Sequence, residues 1–359
     1  MFRGNIKNAD IKQAIKTGKA EALSEEIDYI RFRKGYRKIE RGTVITKNRV
    51  VWGFPHIRRV FTLEAGINRN IKTDTFYAEE KIDGYNLRIA GVDGKICAFT
   101  RGGYLDPFAT EKAREMQNLA KFFKKHPNYV LCAEMIGNTP FTEPTDKYDI
   151  KLLVFDIDDD GKYLPPPEKY SILKEFEIEA VPFLGKFNKS TIESVRKLAR
   201  NLNKGKKEGM VIKSSDRRSI VKFVTPFADI DDTEKCSYTF FDMPPGFFYQ
   251  RIIRSSFFID EYSLNQDKYS KMLGNAFYYG FNRAIDDVKK GKRIENEFQV
   301  LVSSEKIFDL LKRHMIKEVD VKVISKKKEN GKTRIRFSKT YRKTTKEIRN
   351  FLAGKGVID

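Results

Sequence analysis

Along the chain the spacing of apolar positions changes repeatedly, and each change predicts a different kind of structure. Residues Asp10 to Lys19 carry Ile11, Ala14 and Ile15 at helical spacing. Ile27 to Ile57 then breaks into short stretches such as IDYIRF and GTVITKNRVVWGF, which predict a small, mostly β lead-in domain. Loose alternation from Phe76 to Ile89 and from Gly94 to Arg101, around the turn pair Asp93-Gly94, predicts two antiparallel strands joined by a tight turn. Thr110 to His126 sets Ala113, Met116, Ala120 and Phe123 on one face, an amphipathic helix that Pro127-Asn128 ends. The runs NYVLCAEMIG and DIKLLVFDID are short, apolar and flanked by turn residues, as interior strands that pair should be. Ser190 and Glu193 have capping-box spacing before a helix through Leu202, and EGMVIK and SIVKFVTP predict two more short strands.

After Pro226 the pattern changes. FFDMPPGFFY interrupts regular structure, and Tyr249 to Lys290 carries Phe257, Phe258, Tyr262, Phe277, Tyr278, Tyr279 and Phe281 at helical spacing. A helical domain is predicted; whether its aromatics form a core or a buried partner surface stays open. A helix near Glu305 to His314, a hairpin at Asn330-Gly331 and a basic helix from Thr344 to Leu352 complete an α+β chain.

Composition narrows the function. Lys plus Arg number 70 against 49 Asp plus Glu, a net charge of +21, so polyanions should be attracted and counterions released on binding. Surface adaptation to heat would give a similar balance, so charge alone does not decide for nucleic acid. Cys97, Cys132 and Cys236 lie far apart, and His56, His126 and His314 form no ligand pattern with them, so neither a zinc site nor a disulfide framework is expected. No signal-peptide core and no apolar run long enough to span a membrane occur, which leads us to expect a cytoplasmic protein.

The residues with chemical potential begin at KIDGYN. Lys81, Asp83 and Gly84 fall between two extended stretches, FYAEE and YNLRIA, where Gly84 can supply a bend that turns a charged side chain into a pocket. An amine attacks phosphorus only when neutral, and nearby cations favour that form; Lys213 and Lys222 are the expected suppliers. Alone, KxDG is also compatible with a solvated hairpin lysine. Its context is specific: KIDGYN, TRG, CAEMIG, VFDI, EGMVIK and IVKF follow in the order of the covalent nucleotidyltransferases. That superfamily holds polynucleotide ligases and capping enzymes, and the resemblance spans Lys81 to Lys222.

Within that superfamily Asn86, giving KxDGxN, resembles the RNA ligases, and the chain after Pro226 does not resemble the OB-fold that DNA ligases and capping enzymes append. Lead-in, core, helical segment and tail together resemble the archaeal homodimeric ATP-dependent RNA ligases. The resemblance implies a nucleotidyltransferase (ATP-grasp-like ligase) core of antiparallel sheets and helices at 67–232, after a β-rich domain at 1–66 and before a helical dimerisation domain at 233–300 and a basic α/β domain at 301–359. It also implies an enzyme in which Lys81 takes AMP from ATP, passes it to a 5′-phosphate, and a 3′-hydroxyl then seals the RNA.

By the same resemblance ATP would be bound by Glu80, Lys81, Asn86, Arg101, Glu134, Phe155 (stacked on adenine), Glu208, Lys213 and Lys222. Mg²⁺ or Mn²⁺ would be held near Asp83, Glu134 and Glu208. Ile220 stands where many relatives have the first lysine of a KxK motif, with Lys213 a candidate substitute. The run TRIRFSKTYRKTTKEIR mixes cations with Phe337 and Tyr341, so Arg334, Arg336, Lys339 and Arg342 are the expected RNA contacts, with a solvated basic hairpin the alternative. Arg58, Arg59 and Arg69 could lie along the RNA path, but spacing does not place them. A DNA ligase, a capping-type guanylyltransferase and an RNA-binding protein without turnover remain the competing readings.

Overall fold

The computed structural model describes residues 6–316 and 319–356. Its centre is a pair of five-stranded sheets facing each other across a cleft. The first sheet runs in the order Phe183–Asn188, Thr75–Lys81, Gly209–Ser214, Ile220–Val224 and Arg58–Arg59. Phe76, Ala78, Met210, Ile212, Val221 and Phe223 point to its outer face, where Leu63, Ile67, Val195, Ala199 and Phe258 cover them. Because side chains alternate across a strand, Tyr77, Glu79, Lys81, Lys213 and Lys222 turn toward the cleft.

The second sheet runs in the order Lys162–Tyr163, Ile150–Asp159, Tyr129–Gly137, Tyr85–Val92 and Lys95–Thr100. Its outer face, with Leu87, Ile89, Leu131, Ala133 and Met135, shares one core with Phe108, Phe122, Phe298, Val300, Ile335 and Phe337. The C-terminal region is therefore packed onto the second sheet rather than tethered beside it.

At one end the cleft is closed by a buried ion cluster. Lys169 donates to Glu79 (2.6 Å) and to the carbonyl of Phe155 (3.0 Å), Lys213 donates to Glu79 (2.6 Å), Phe155 O (2.5 Å) and Asp156 (3.1 Å), and Arg217 clamps Asp156 with two bonds. Burial forces these groups to find partners, and the partners come from both sheets, so the cluster fixes their separation.

The lead-in sheet, Ala20–Ser24, Asp28–Phe32, Val44–Ile45 and Val50–Val51, is stapled to the core. The Arg49 guanidinium donates to the carbonyls of Gly91, Pro127, Asn128 and Tyr129 at 2.6–2.9 Å. Arg31 holds Gly102 O at 2.9 Å, and a Cβ on Gly42 would lie 2.2 Å from Arg101 O, so the TRG segment is clasped by this domain.

Several expectations are corrected. The stretch from Phe76 to Ile89 is not one strand of a hairpin: Thr75–Lys81 and Tyr85–Val92 belong to different sheets. The single helix expected from Thr110 to His126 is two, Pro107–Glu115 and Gln117–Lys125, broken where Met116 adopts an extended backbone (φ −88°, ψ 103°). The capping box is formed by Asn188 and Thr191, one turn ahead of the helix Ile192–Lys204, not by Ser190 and Glu193. The 66/67 boundary cuts the helix Leu63–Asn70, which covers the first sheet, and the 300/301 boundary cuts the strand Glu295–Val302, which pairs with Lys332–Thr340. The regions after Pro226 contain the helices Pro226–Ser237, Phe247–Glu261 and Gln266–Lys289. No helix among the described residues is long and apolar enough to cross a membrane.

The ion cluster gives the first prediction. Its three cations, Lys169, Lys213 and Arg217, share two carboxylates, Glu79 and Asp156. Glu79→Gln should lower the unfolding free energy by about 3–5 kcal/mol, the scale for breaking a buried pair. Lys169→Met leaves the charges balanced and should cost less; urea midpoints of the two variants check the order.

Candidate active site

Lys81 ends the strand Thr75–Lys81, and the chain then crosses to the second sheet in the turn before Tyr85. The crossing is tight: a Cβ on Gly84 would lie 2.8 Å from Ile136 Cγ2 and 2.9 Å from Met135 O. Glycine there lets the turn lie against the neighbouring strand. Lys81 pairs in register with Gly209, which brings Glu208 alongside, and the Lys81 amine donates to Glu208 Oε1 at 2.6 Å. On the other side of the crossing Asn86 pairs with Glu134, and its amide donates to Glu134 Oε1 at 3.1 Å.

Lys81 is thus surrounded by acceptors that lack donors. Asn86 Oδ1, Glu134 Oε2 and Glu208 Oε2 are all buried without a hydrogen-bond partner. Such orphaned groups are costly unless a ligand or water completes them. Desolvation pushes the Glu134 carboxyl up to about 7, opposed by the Asn86 bond and by Lys81, and it raises the Glu208 carboxyl against the pull of Lys81. A hydroxyl-bearing sugar or the water shell of a divalent cation would supply the missing donors. Asp83 is exposed and adds negative charge near Glu134 and Glu208. Among the described residues no group of three His, Cys, Asp or Glu is arranged to ligate a metal directly; of the expected set Asp83, Glu134 and Glu208, the orphaned Glu134 and Glu208 oxygens suit the donor waters of a hydrated ion.

Opposite these acceptors lies a group of cations. Burial, followed by the fields of Arg59, Lys81 and Arg101, pushes the Lys222 amine down to about 8. His56 is lowered by burial and by Lys222, Arg101 and Arg59. Lys222 and Lys81 therefore face a common space, and Arg101 borders it from the clasped TRG segment.

Other expected residues are placed elsewhere. Lys213 shares the face of Lys81, but its ammonium is spent on Glu79, Asp156 and Phe155 O inside the ion cluster, so it does not reach out to phosphate or replace the missing lysine. Glu80 lies on the opposite face of the strand and pairs with Lys207 at 3.0 Å. Phe155 sits at a register shift between Val154 and Asp156; such a bulge re-aims a side chain, and the half-buried ring meets Phe54 edge-on with centroids 5.1 Å apart. The sequence reading missed Glu79 and Lys169, although a carboxylate within the strand-like FYAEE is a visible signal of a buried partner.

In the C-terminal domain, Lys339 is buried, with its amine over the rings of Phe141 (4.1 Å) and Phe298 (4.5 Å), which corrects its assignment as an RNA contact. Arg334, Arg336 and Arg342 are accessible but pair with Glu329, Glu297 and Asp320. Arg342 also lines a cavity of about 460 Å³ with Arg293, Lys346 and Arg349.

Known proteins resemble this chain in both sequence and fold. Residues 74–224 match the family described as RNA ligase, and residues 236–355 match the ligase Pab1020 C-terminal region. The uncharacterized protein MJ0414 of Methanocaldococcus jannaschii is 32% identical over 97% of this chain and 94% of its own length. An archaeal ATP-dependent RNA ligase structure superposes with a TM-score of 0.89 at 27% identity, covering 98% of this chain and 97% of that one. An Aquifex aeolicus chain provisionally named an ATP-dependent DNA ligase superposes at 0.91 with 28% identity, covering 97% and 99%.

The raised Glu134 carboxyl has a measurable consequence. Its folded value of about 7 exceeds the ordinary 4.5, so the ionised form is penalised increasingly as pH rises between those values, and fully above 7. Glu134→Gln removes the penalty and should raise the melting temperature at pH 8, by roughly 1–2 °C per kcal/mol relieved. The gain should shrink toward zero as pH falls to 4.5; thermal unfolding of both proteins across that range checks the sign.

Proposed function

The chain belongs to the ATP-dependent RNA ligase family, and from that membership we propose that it joins 5′-phosphate and 3′-hydroxyl RNA ends with Lys81 as the nucleophile. The observation that carries this reading is the Lys81 amine, 2.6 Å from Glu208 and set between orphaned acceptors and the Lys222 cation. In the first step the Lys81 nitrogen bonds to the α-phosphorus of ATP, the bond from that phosphorus to the bridging oxygen breaks, and pyrophosphate leaves. Glu208 is within reach to take the amine proton. AMP then passes to an RNA 5′-phosphate, and attack by a 3′-hydroxyl on that phosphate seals the strand and releases AMP.

Asn86 and Glu134 would accept from the ribose, Phe155 would stack on adenine, and Lys222 and Arg101 would face phosphate oxygens. A hydrated Mg²⁺ or Mn²⁺ near Glu134, Glu208 and Asp83 would neutralise phosphate charge. RNA would be held by charge, through Arg334, Arg336 and the cavity lined by Arg293, Arg342, Lys346 and Arg349. We also propose a homodimer, because Tyr249, Ile252, Ile253, Phe257, Tyr278 and Tyr279 are exposed on the helices Phe247–Glu261 and Gln266–Lys289. Large apolar side chains exposed at helical spacing, as at Tyr249, Ile252, Ile253 and Phe257, are what an interface would cover.

The name of the Aquifex aeolicus structure keeps DNA sealing as the second reading. ATP labelled on the α-phosphate should give acid-resistant, protein-bound AMP with the parent and none with Lys81→Ala; labelling of the variant would refute the nucleophile. Sealing of single-stranded 5′-phosphorylated RNA is expected, and activity confined to nicked duplex DNA would favour the rival. Ile253→Asp with Phe257→Asp should halve the sedimenting mass.

A further inference from the structure

Resting on the ligase reading above, we infer that Arg59 is a further catalytic residue, supplying from outside the nucleotidyltransferase motifs the phosphate contact that Ile220 does not. The strand Arg58–Arg59 pairs in parallel with Ile220–Val224, with Arg59 in register with Lys222 and Val60 N–H bonded to Lys222 O at 3.0 Å. Register partners in adjacent strands project from the same face, so the guanidinium stands beside the Lys222 amine over the cleft. Val60, the next residue, points the other way into the outer core.

Arg59 is half-buried, its Nε is enclosed without a partner, and no carboxylate among the described residues lies within ion-pair distance of it. The carboxylates in its field pair with other cations, Asp229 with Arg254, Asp232 with Arg251 and Glu208 with Lys81, each leaving Arg59 outside ion-pair distance, although Asp229 Oδ2 and Glu208 Oε2 have no hydrogen-bond partner of their own. Arg59, Arg101 and Lys81 all bear on Lys222, so these four cations border one space in which a phosphate oxygen would meet several of them.

The strand order also says which anion. Lys222 is two strands from that of Lys81, and Arg59 is three, roughly 10 and 14 Å sideways at the usual strand spacing. The α-phosphate must lie at Lys81, so Arg59 meets the far end of the triphosphate. It counters the charge that builds on pyrophosphate as the phosphorus–nitrogen bond forms and the phosphorus–oxygen bond breaks. The sealing step expels AMP and has no pyrophosphate for Arg59 to contact.

Single-turnover assays on full-length protein separate the two steps. Arg59→Ala should slow lysyl-AMP formation from ATP roughly 10- to 100-fold, the scale for one lost charged donor at an oxyanion. It should seal chemically pre-adenylylated RNA at the parental rate, which also reports an intact fold, and Arg59→Lys should recover part of the first step. Unchanged lysyl-AMP formation in Arg59→Ala overturns the inference, as does an equal loss in both steps, which would assign Arg59 to RNA binding or folding. A parent protein that forms no lysyl-AMP overturns the ligase reading itself, and this inference with it.

Discussion

The site depends on the chain crossing from one sheet to the other within the few residues between Lys81 and Tyr85. A strand that ends in the first sheet delivers its last side chain to the cleft wall, and the next strand begins on the facing wall with Asn86. Only a residue without a Cβ can lie so close to Ile136 and Met135 O, so the glycine of KxDG is a condition of the crossing itself. Pairing does the rest. Register with Gly209 carries Glu208 to Lys81, and register with Asn86 carries Glu134 to the same place, so acids more than 70 positions apart meet around one amine.

The cleft has a closed end and an open end, and their electrostatics differ. At the closed end every charge of the Glu79, Asp156, Lys169, Lys213 and Arg217 cluster is used inside the protein. That end holds position: it fixes the Phe155 carbonyl, and with it the bulge that aims the Phe155 ring. At the open end acceptors lack donors, and Lys222, a cation, is crowded by the cations Arg59, Lys81 and Arg101. A folded protein tolerates such frustration where a ligand supplies what is missing, and a nucleoside triphosphate offers hydroxyl donors for the one set and phosphate oxygens for the other.

What the sequence conveys follows from this division. Lys81, Asn86, Glu134 and Lys222 stand out because each falls in a strand-like run, and Glu208 because it immediately precedes one. Lys213 shows the limit of such reading: alternation gives it the same face as Lys81, but alternation carries no information about depth, and the second sheet closes over it. Lys339 fails similarly, because a basic run hides which cation the adjacent aromatics will cover. Met116 fits a helical apolar stripe, and only tertiary packing shows that the backbone breaks there to redirect the second helix. Arg59 is visible as a charge, but its place depends on a parallel pairing between distant segments, a contact that no local pattern encodes.

That parallel pairing changes the standing of the lead-in domain. An appended module would touch the core through a surface; here the segment that leaves the lead-in sheet adds the edge strand Arg58–Arg59 to the catalytic-type sheet, while Arg31 and Gly42 clasp the TRG segment that carries Arg101. Two of the cations around Lys222 therefore depend on residues outside the 74–224 RNA ligase match. An antiparallel edge strand could have come from a local hairpin, whereas a parallel one needs a distant connection, so this strand ties the start of the chain to the motif strand by construction. The nucleotide site is consequently a joint product of the lead-in and the core, and the arrangement of its phosphate-facing charges is set when these two regions dock.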